Sequence, residues 1–183
     1  IYMSSSTSFN VEIVEDDLMR SMGTSVNDVS LLPKQCKHGY IVKISNARQS
    51  DEDDYYLRFE GLNGQDGTGS WVECAKPGID LSLTNMPLAI QRTALANQNT
   101  STEIATFTVK QFTYANREIG DDSTNPFPSF EGKRINKVLF FRNRLAFLAG
   151  ENVVLCRPGT LGQPDFFAET ALTVSPNDPI DIS

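Results

Sequence analysis

Apolar and polar positions alternate along much of the chain, and that period of two predicts strands. After a polar lead, Phe9, Val11 and Ile13 point one way. "DDLMRSMG" breaks the alternation and predicts a short helix, with Asp16 or Asp17 near its N-terminus and Gly23 stopping it. "VNDVSLLP" predicts a second helical turn, closed by Pro33. "GYIVKIS" is then a strand opened by Gly39, and "YYLRFEG" and "GSWVECAKPG" are two more, with Trp71 packed on one sheet face. Residues 39–76 thus predict a three-stranded meander. Pro87 argues against a helix start before Leu88. In "STEIATFTVKQFTY", Ile104, Thr106 and Thr108 alternate against Phe107 and Val109, a clear strand. Arg134–Arg157 splits into "RINKVLFF", "LAFLAG" and "NVVLCR", with "RNR" and "AGEN" as turns. "ALTVSPNDPIDIS" is a final strand interrupted by Pro176 and Pro179.

The fold class this predicts is mainly β with short helices. A small α+β portion spans residues 1–85, and an antiparallel, propeller-like β-meander spans 86–183 as part of a larger protein. No fixed repeat period is visible. The longest apolar run, Val138–Phe141, is far short of the roughly 20 residues that cross a bilayer as a helix. No signal-peptide pattern follows Ile1, and both ends read as cuts in a longer protein.

Charge narrows the partners. With 16 Lys and Arg against 23 Asp and Glu, the net charge is −7, which argues against broad phosphate-backbone binding. It suits a surface that nucleic acid passes without sticking, because like charges repel. The three cysteines, Cys36, Cys74 and Cys156, are far apart and odd in number, so a disulfide framework is not expected. A zinc site made by all three with His38 is conceivable, but Cys36-x-His38 is too tight for the common spacing and buried free thiols fit better. Asp51–Asp54 lacks the spaced oxygens and central glycine of a calcium loop and reads as a solvated hairpin tip. "LNGQDGT" lacks the Lys-Ser/Thr ending of a phosphate loop. No nucleophile elbow, His-Glu-x-x-His or dinucleotide fingerprint occurs, so neither a metal nor a cofactor is expected.

Two arginines stand out because Arg142 and Arg144 sit between two of the most apolar runs. "FFRNRLAFL" reads as strand, tight turn, strand, with Asn143 where left-handed backbone is tolerated. Arg142 and Arg144 flank the bend, and Asp121, Asp122, Asp165 and Asp178 are acids in turn-rich segments of the same half. The expectation is a structural latch: at least one arginine pairs with one of these carboxylates and holds long loops onto the meander. Asp121 and Asp122 are adjacent on extended backbone and point apart, which favours loop anchoring over joint catalysis.

Two blocks carry a family resemblance. They are "DDYYLRFEG…GSWVECAKPGID…NMPLAIQR" over residues 53–92 and "REIGDDSTNPFPSFEGKRINKVLFFRNRLAFLAGENVVLCRPG…" running over 117–183. Their order resembles tail tubular protein B, the tail nozzle protein of short-tailed bacteriophages. Members carry a Trp-x-Glu strand, a Met-Pro segment, Gly-Asp-Asp, Asn-Pro-x-Pro-Ser-Phe, Phe-x-Arg-Asn-Arg-Leu and a terminal Asp-Pro-Ile-Asp. Residues 1–38 carry no comparable signature, and "TLGQP" lengthens one loop between Arg157 and Asp165. The resemblance implies a structural virion protein, assembled in the bacterial host cytoplasm. It implies a self-associated ring, hexameric in the family, that docks on a tail adaptor protein and on fibres. DNA would pass through its distal exit channel without sequence-specific binding, and no membrane is involved. It implies no catalytic residue and no enzyme. Two alternatives stay open: a polysaccharide-degrading tail protein using Asp121, Asp122 or Glu131, and a glycan-binding or fibre-binding module using Trp71 or Phe166–Phe167.

Overall fold

The structure is a computed structural model that describes residues 6–7, 11–12, 21–45, 54–171 and 173–183. The strand expected at Phe9–Ile13 and the helix expected from Asp16 fall largely outside them, as do three of the four acids at Asp51–Asp54. The fold is mainly β, with eleven strands among the described residues. Helical structure there is confined to two 3-10 turns, Val29–Leu31 and Leu62–Gly64. The first begins where Asp28 accepts the Ser30 N–H at 2.7 Å, the ordinary N-cap device, and Pro33 follows its end.

The chain forms two compact units. Unit 1 is residues 1–80, 118–126 and 170–174, and unit 2 is 81–117, 127–169 and 175–183.

Unit 1 holds a five-stranded sheet made by β1 (Ser25–Val26), β2 (Gln35–Cys36), β3 (Ile41–Ile44), β4 (Tyr55–Gly61) and β5 (Gly67–Cys74). Its order is β1-β3-β4-β5-β2, with β1 parallel to β3 and the other pairs antiparallel. The β3-β4-β5 centre is the meander that the alternation predicts. Val42, Ile44 and Leu57 form its core, with Trp71 packed alongside. Phe59 and Trp71 are directly opposite in register, their rings edge-to-face at 5.2 Å, and the indole N–H donates to the Pro33 carbonyl at 2.9 Å.

The later segments join this unit by specific bonds. Ala75 bridges Gly120, whose carbonyl accepts the Lys76 N–H at 2.9 Å, and the Glu73 carboxylate accepts the Ala171 N–H at 2.7 Å. Gly120 has φ +72°, and a Cβ there would lie 2.7 Å from Thr124 Oγ1 and 2.9 Å from Asn125 Cβ. Both the backbone and the space demand glycine.

Unit 2 holds two sheets. One is β8 (Ile135–Phe141), β9 (Arg144–Ala149), β10 (Asn152–Leu155) and β11 (Ile180–Ile182), antiparallel in the order β11-β10-β9-β8. The other is a two-stranded ribbon of β6 (Leu88–Ala96) and β7 (Ile104–Gln111). The core gathers on β9 and β10: Leu145, Phe147, Ala149, Val154 and Cys156 pack with Phe130 and Phe166. Phe147 and Phe166 stack at 5.3 Å, and Phe130 meets both edge-on at 5.1 and 5.0 Å. Each such ring contributes about 1.5–3 kcal/mol by burial alone.

Candidate assembly surface

The "RNR" hairpin is tighter than its sequence suggests. Arg142 and Asn143 are the only residues between β8 and β9, with φ +46° and +62°, the left-handed pair of a type I′ turn. A non-glycine residue in that region costs roughly 1–2 kcal/mol, yet the turn's twist matches the flanking strands. Arg142 projects from the bend, its guanidinium 5.5 Å from the centre of the neighbouring Phe141 ring.

Arg144 turns inward and is 8% exposed. Its Nη1 donates to the carbonyls of Cys156 at 2.8 Å and Asp178 at 2.7 Å, and Nη2 donates to the Pro176 carbonyl at 2.8 Å. Asp178 is therefore met at its backbone oxygen, where the sequence leads one to expect its carboxylate. That carboxylate is employed locally, accepting the N–H groups of Ser175 at 2.6 Å and Glu169 at 3.1 Å. A planar fork of donors suits converging carbonyls because several can be served at once.

The other acids have separate partners. Asp165 pairs with Arg157, Nη1 to Oδ2 at 3.0 Å, while Arg157 Nη2 reaches Glu169 at 3.1 Å. Desolvation pushes the Arg157 guanidinium down, but Asp165 and then Glu169 outweigh it and hold it above its ordinary value. Asp121 closes its own loop, its Oδ1 accepting from Ser123 N, Thr124 N and Thr124 Oγ1 at 3.0–3.1 Å. Burial pushes that carboxyl up, yet these donors, with the charge of Lys76, hold it below the usual value. Asp122 is exposed in the same turn. Asp121 and Asp122 belong to unit 1 and the arginines to unit 2.

Arg157 as an ion-pair centre escapes sequence reasoning, since a spacing of eight residues to Asp165 is no motif. So does Arg117, 1% exposed with its guanidinium 4.6 Å from the Phe127 ring centre. Phe166 and Phe167 are 3% and 2% exposed, so the pair considered as a binding patch is core. Glu131 is anchored to Thr84, accepting its hydroxyl at 3.1 Å, beside an open groove of about 310 Å³ whose rim carries Lys133 and Arg134. His38 accepts the Gly61 N–H at Nδ1, at 3.2 Å, and the cysteines are free thiols. Among the described residues, no group of three His, Cys, Asp or Glu could hold a metal, and no helix is long and apolar enough to cross a membrane.

Unit 2 also exposes what strands ordinarily bury. On the ribbon, Ile90 lies opposite Val109 and Arg92 opposite Phe107, so Leu88, Ile90, Phe107 and Val109 share one face. These four are 60–71% exposed. On β8, Val138, Leu139, Phe140 and Phe141 are 53, 38, 69 and 55% exposed. Alternation of this kind predicts half-buried strands, and here the layer that would cover them is absent from the described residues.

Comparison with known proteins places these features in context. The family model described as "Bacteriophage nozzle protein" matches residues 3–183. The "Tail tubular protein gp12" of Escherichia phage T7 is 33% identical over 170 residues, which is 92% of this chain and 19% of that protein. The chain thus spans about a fifth of the length of the relative it matches.

Proposed function

Because the chain belongs to the bacteriophage nozzle protein family, structural components of the virion tail, we propose that it forms part of the wall of the distal tail tube. Copies of the full-length protein close into a ring, hexameric as the resemblance implies, around the channel through which DNA leaves. The outer surface takes the adaptor and the fibres. The observation that carries this reading is the family match over nearly the whole chain, and the uncovered apolar strands of unit 2 suit a piece of a larger wall. The net charge of −7 supports passage without retention, since each phosphate contact adds to affinity and to its salt dependence.

In this reading Arg144 is the latch that ties residues 176–178 to β9, through carbonyls. The polysaccharide-degrading alternative would need carboxylates aimed at a substrate, whereas Asp121 closes its own turn and Glu131 holds Thr84. Mass measurement and electron microscopy of the full-length protein with its tail adaptor test the proposal. A ring bound to the adaptor is the expected result, and a protein that stays monomeric with and without the adaptor overturns it.

A further inference from the structure

The connection between β4 and β5 holds the chain's one Asn-Gly bond, Asn63–Gly64, inside the 3-10 turn Leu62–Gly64. We propose that Asn63 is a modification site, which deamidates spontaneously in the folded protein through a succinimide closed by the Gly64 amide.

The reaction needs only solvent. The Gly64 backbone nitrogen attacks Asn63 Cγ, the new C–N bond closes the imide ring, and the Cγ–Nδ2 bond breaks. Nδ2 leaves as ammonia, carrying the proton that the Gly64 amide gives up. Water then opens the ring at either carbonyl. Opening at Cγ gives aspartate. Opening at the main-chain carbonyl routes the chain through Cγ and gives isoaspartate, with an extra methylene in the backbone. Nothing is oxidised or reduced.

The turn leaves this path open. Leu62 through Asp66 are all exposed, and the Asn63 side-chain amide has no hydrogen-bond partner among the described residues. Asn63 sits at φ 54° and ψ 27°, so ring closure requires ψ to rotate until the Gly64 nitrogen eclipses Cβ. That rotation displaces no buried side chain. Gly64 has φ +71°, and no atom lies within 4 Å of where a Cβ would stand, so nothing crowds the attacking nitrogen.

Neighbouring candidates are held. Asp66–Gly67 would form the same imide, but Asp66 Oδ1 accepts the His38 N–H at 2.8 Å and Gly67 is in register with Cys36 of β2. The other asparagines all precede residues that carry a Cβ. Asn97, Asn125 and Asn152 also donate their side-chain amides to carbonyls.

Conversion changes unit 1 in two ways. Each converted copy gains a carboxylate, taking the net charge from −7 to −8. Isoaspartate also lengthens the chain between two anchors on His38: Gly61, whose N–H donates to Nδ1 at 3.2 Å, and Asp66. A virion carries no machinery to renew its tail, so the product accumulates with the age of the particle.

The test incubates the folded full-length protein in mildly alkaline buffer and follows it by peptide mapping, with isoaspartyl methyltransferase reporting isoaspartate. The same protein unfolded in urea supplies the reference rate. The expected result is conversion at Asn63 ahead of every other asparagine, to both aspartate and isoaspartate. Gly64→Ala should slow it roughly tenfold by crowding the attacking nitrogen. Asn63→Gln should abolish it with an unchanged circular dichroism spectrum. In the isoaspartate fraction the His38 and Gly61 amides should exchange hydrogen faster than in the aspartate fraction. An Asn63 that stays intact in the folded chain while the unfolded chain converts overturns the proposal, as does earlier conversion of another asparagine. Equal exchange in the two fractions overturns the link to the His38 anchors.

Discussion

A buried guanidinium with three carbonyls around it is a demanding arrangement, because its desolvation is offset only while every donor keeps its partner. Truncating Arg144 leaves the Cys156, Pro176 and Asp178 carbonyls short of a donor, so Arg144→Ala should destabilise unit 2 by roughly 3 kcal/mol. Arg144→Lys keeps the charge but not the fork and should recover less than half of that loss. Hydrogen exchange reads this locally: the Ser175 and Asp178 amides, both bonded within the tethered loop, should exchange faster in either variant. Asp121 gives a pH signature. Its carboxyl is held below the ordinary 3.8 in the folded protein, so its contribution is fully present above that value and is lost as pH falls through the folded one. Acid titration followed by Trp71 fluorescence should show unit 1 losing stability below about pH 4. Asp121→Asn should be less stable at neutral pH and lose that share of the acid dependence; an unchanged acid limb would count against the loop-closing role.

At the level of elements, the β8–β9 turn sets two effects against each other. Left-handed backbone at Arg142 costs roughly 1–2 kcal/mol, while an exposed cation over an aromatic ring returns about 0.5–1. The backbone term wins, so Arg142→Asn should raise the midpoint of thermal unfolding and Arg142→Val should lower it. Central β9 and edge β8 are hard to tell apart by sequence, since "LAFLA" and "VLFF" are equally apolar. Period-two patterning shows that a residue belongs in a strand, and it located the meanders of both units. It does not show whether a strand's apolar face is covered, and Phe107 and Phe140, both in strands, are 60% and 69% exposed. The arginine site was half legible. The turn follows from "RNR" between apolar runs, whereas the expectation for its arginines is a pairing with a loop carboxylate, and Arg144 instead meets backbone carbonyls. The choice of carbonyls as acceptors depends on where residues 176–178 return, a long-range property that spacing cannot carry.

For the whole molecule, net charge is the term that reaches furthest. With −7 on the chain, retention of duplex DNA should be undetectable near physiological salt, and binding at low salt should show a slope of log K on log salt close to zero. A steep negative slope would mean that a basic face outweighs the total, and would sink free passage as a property of this region. The way unit 1 is assembled also has a temporal side. Its sheet is spelled out by residue 80, yet the segments that bond Lys76 and Glu73 arrive at residues 118–126 and 170–174. A ribosome adding 5–20 residues per second needs roughly 5–20 s to travel from the first part to the last. Throughout that interval the nascent sheet waits with those partners unmade while all but the last few residues of unit 2 emerge behind it, so the order of synthesis and the order of completion are opposed in this chain.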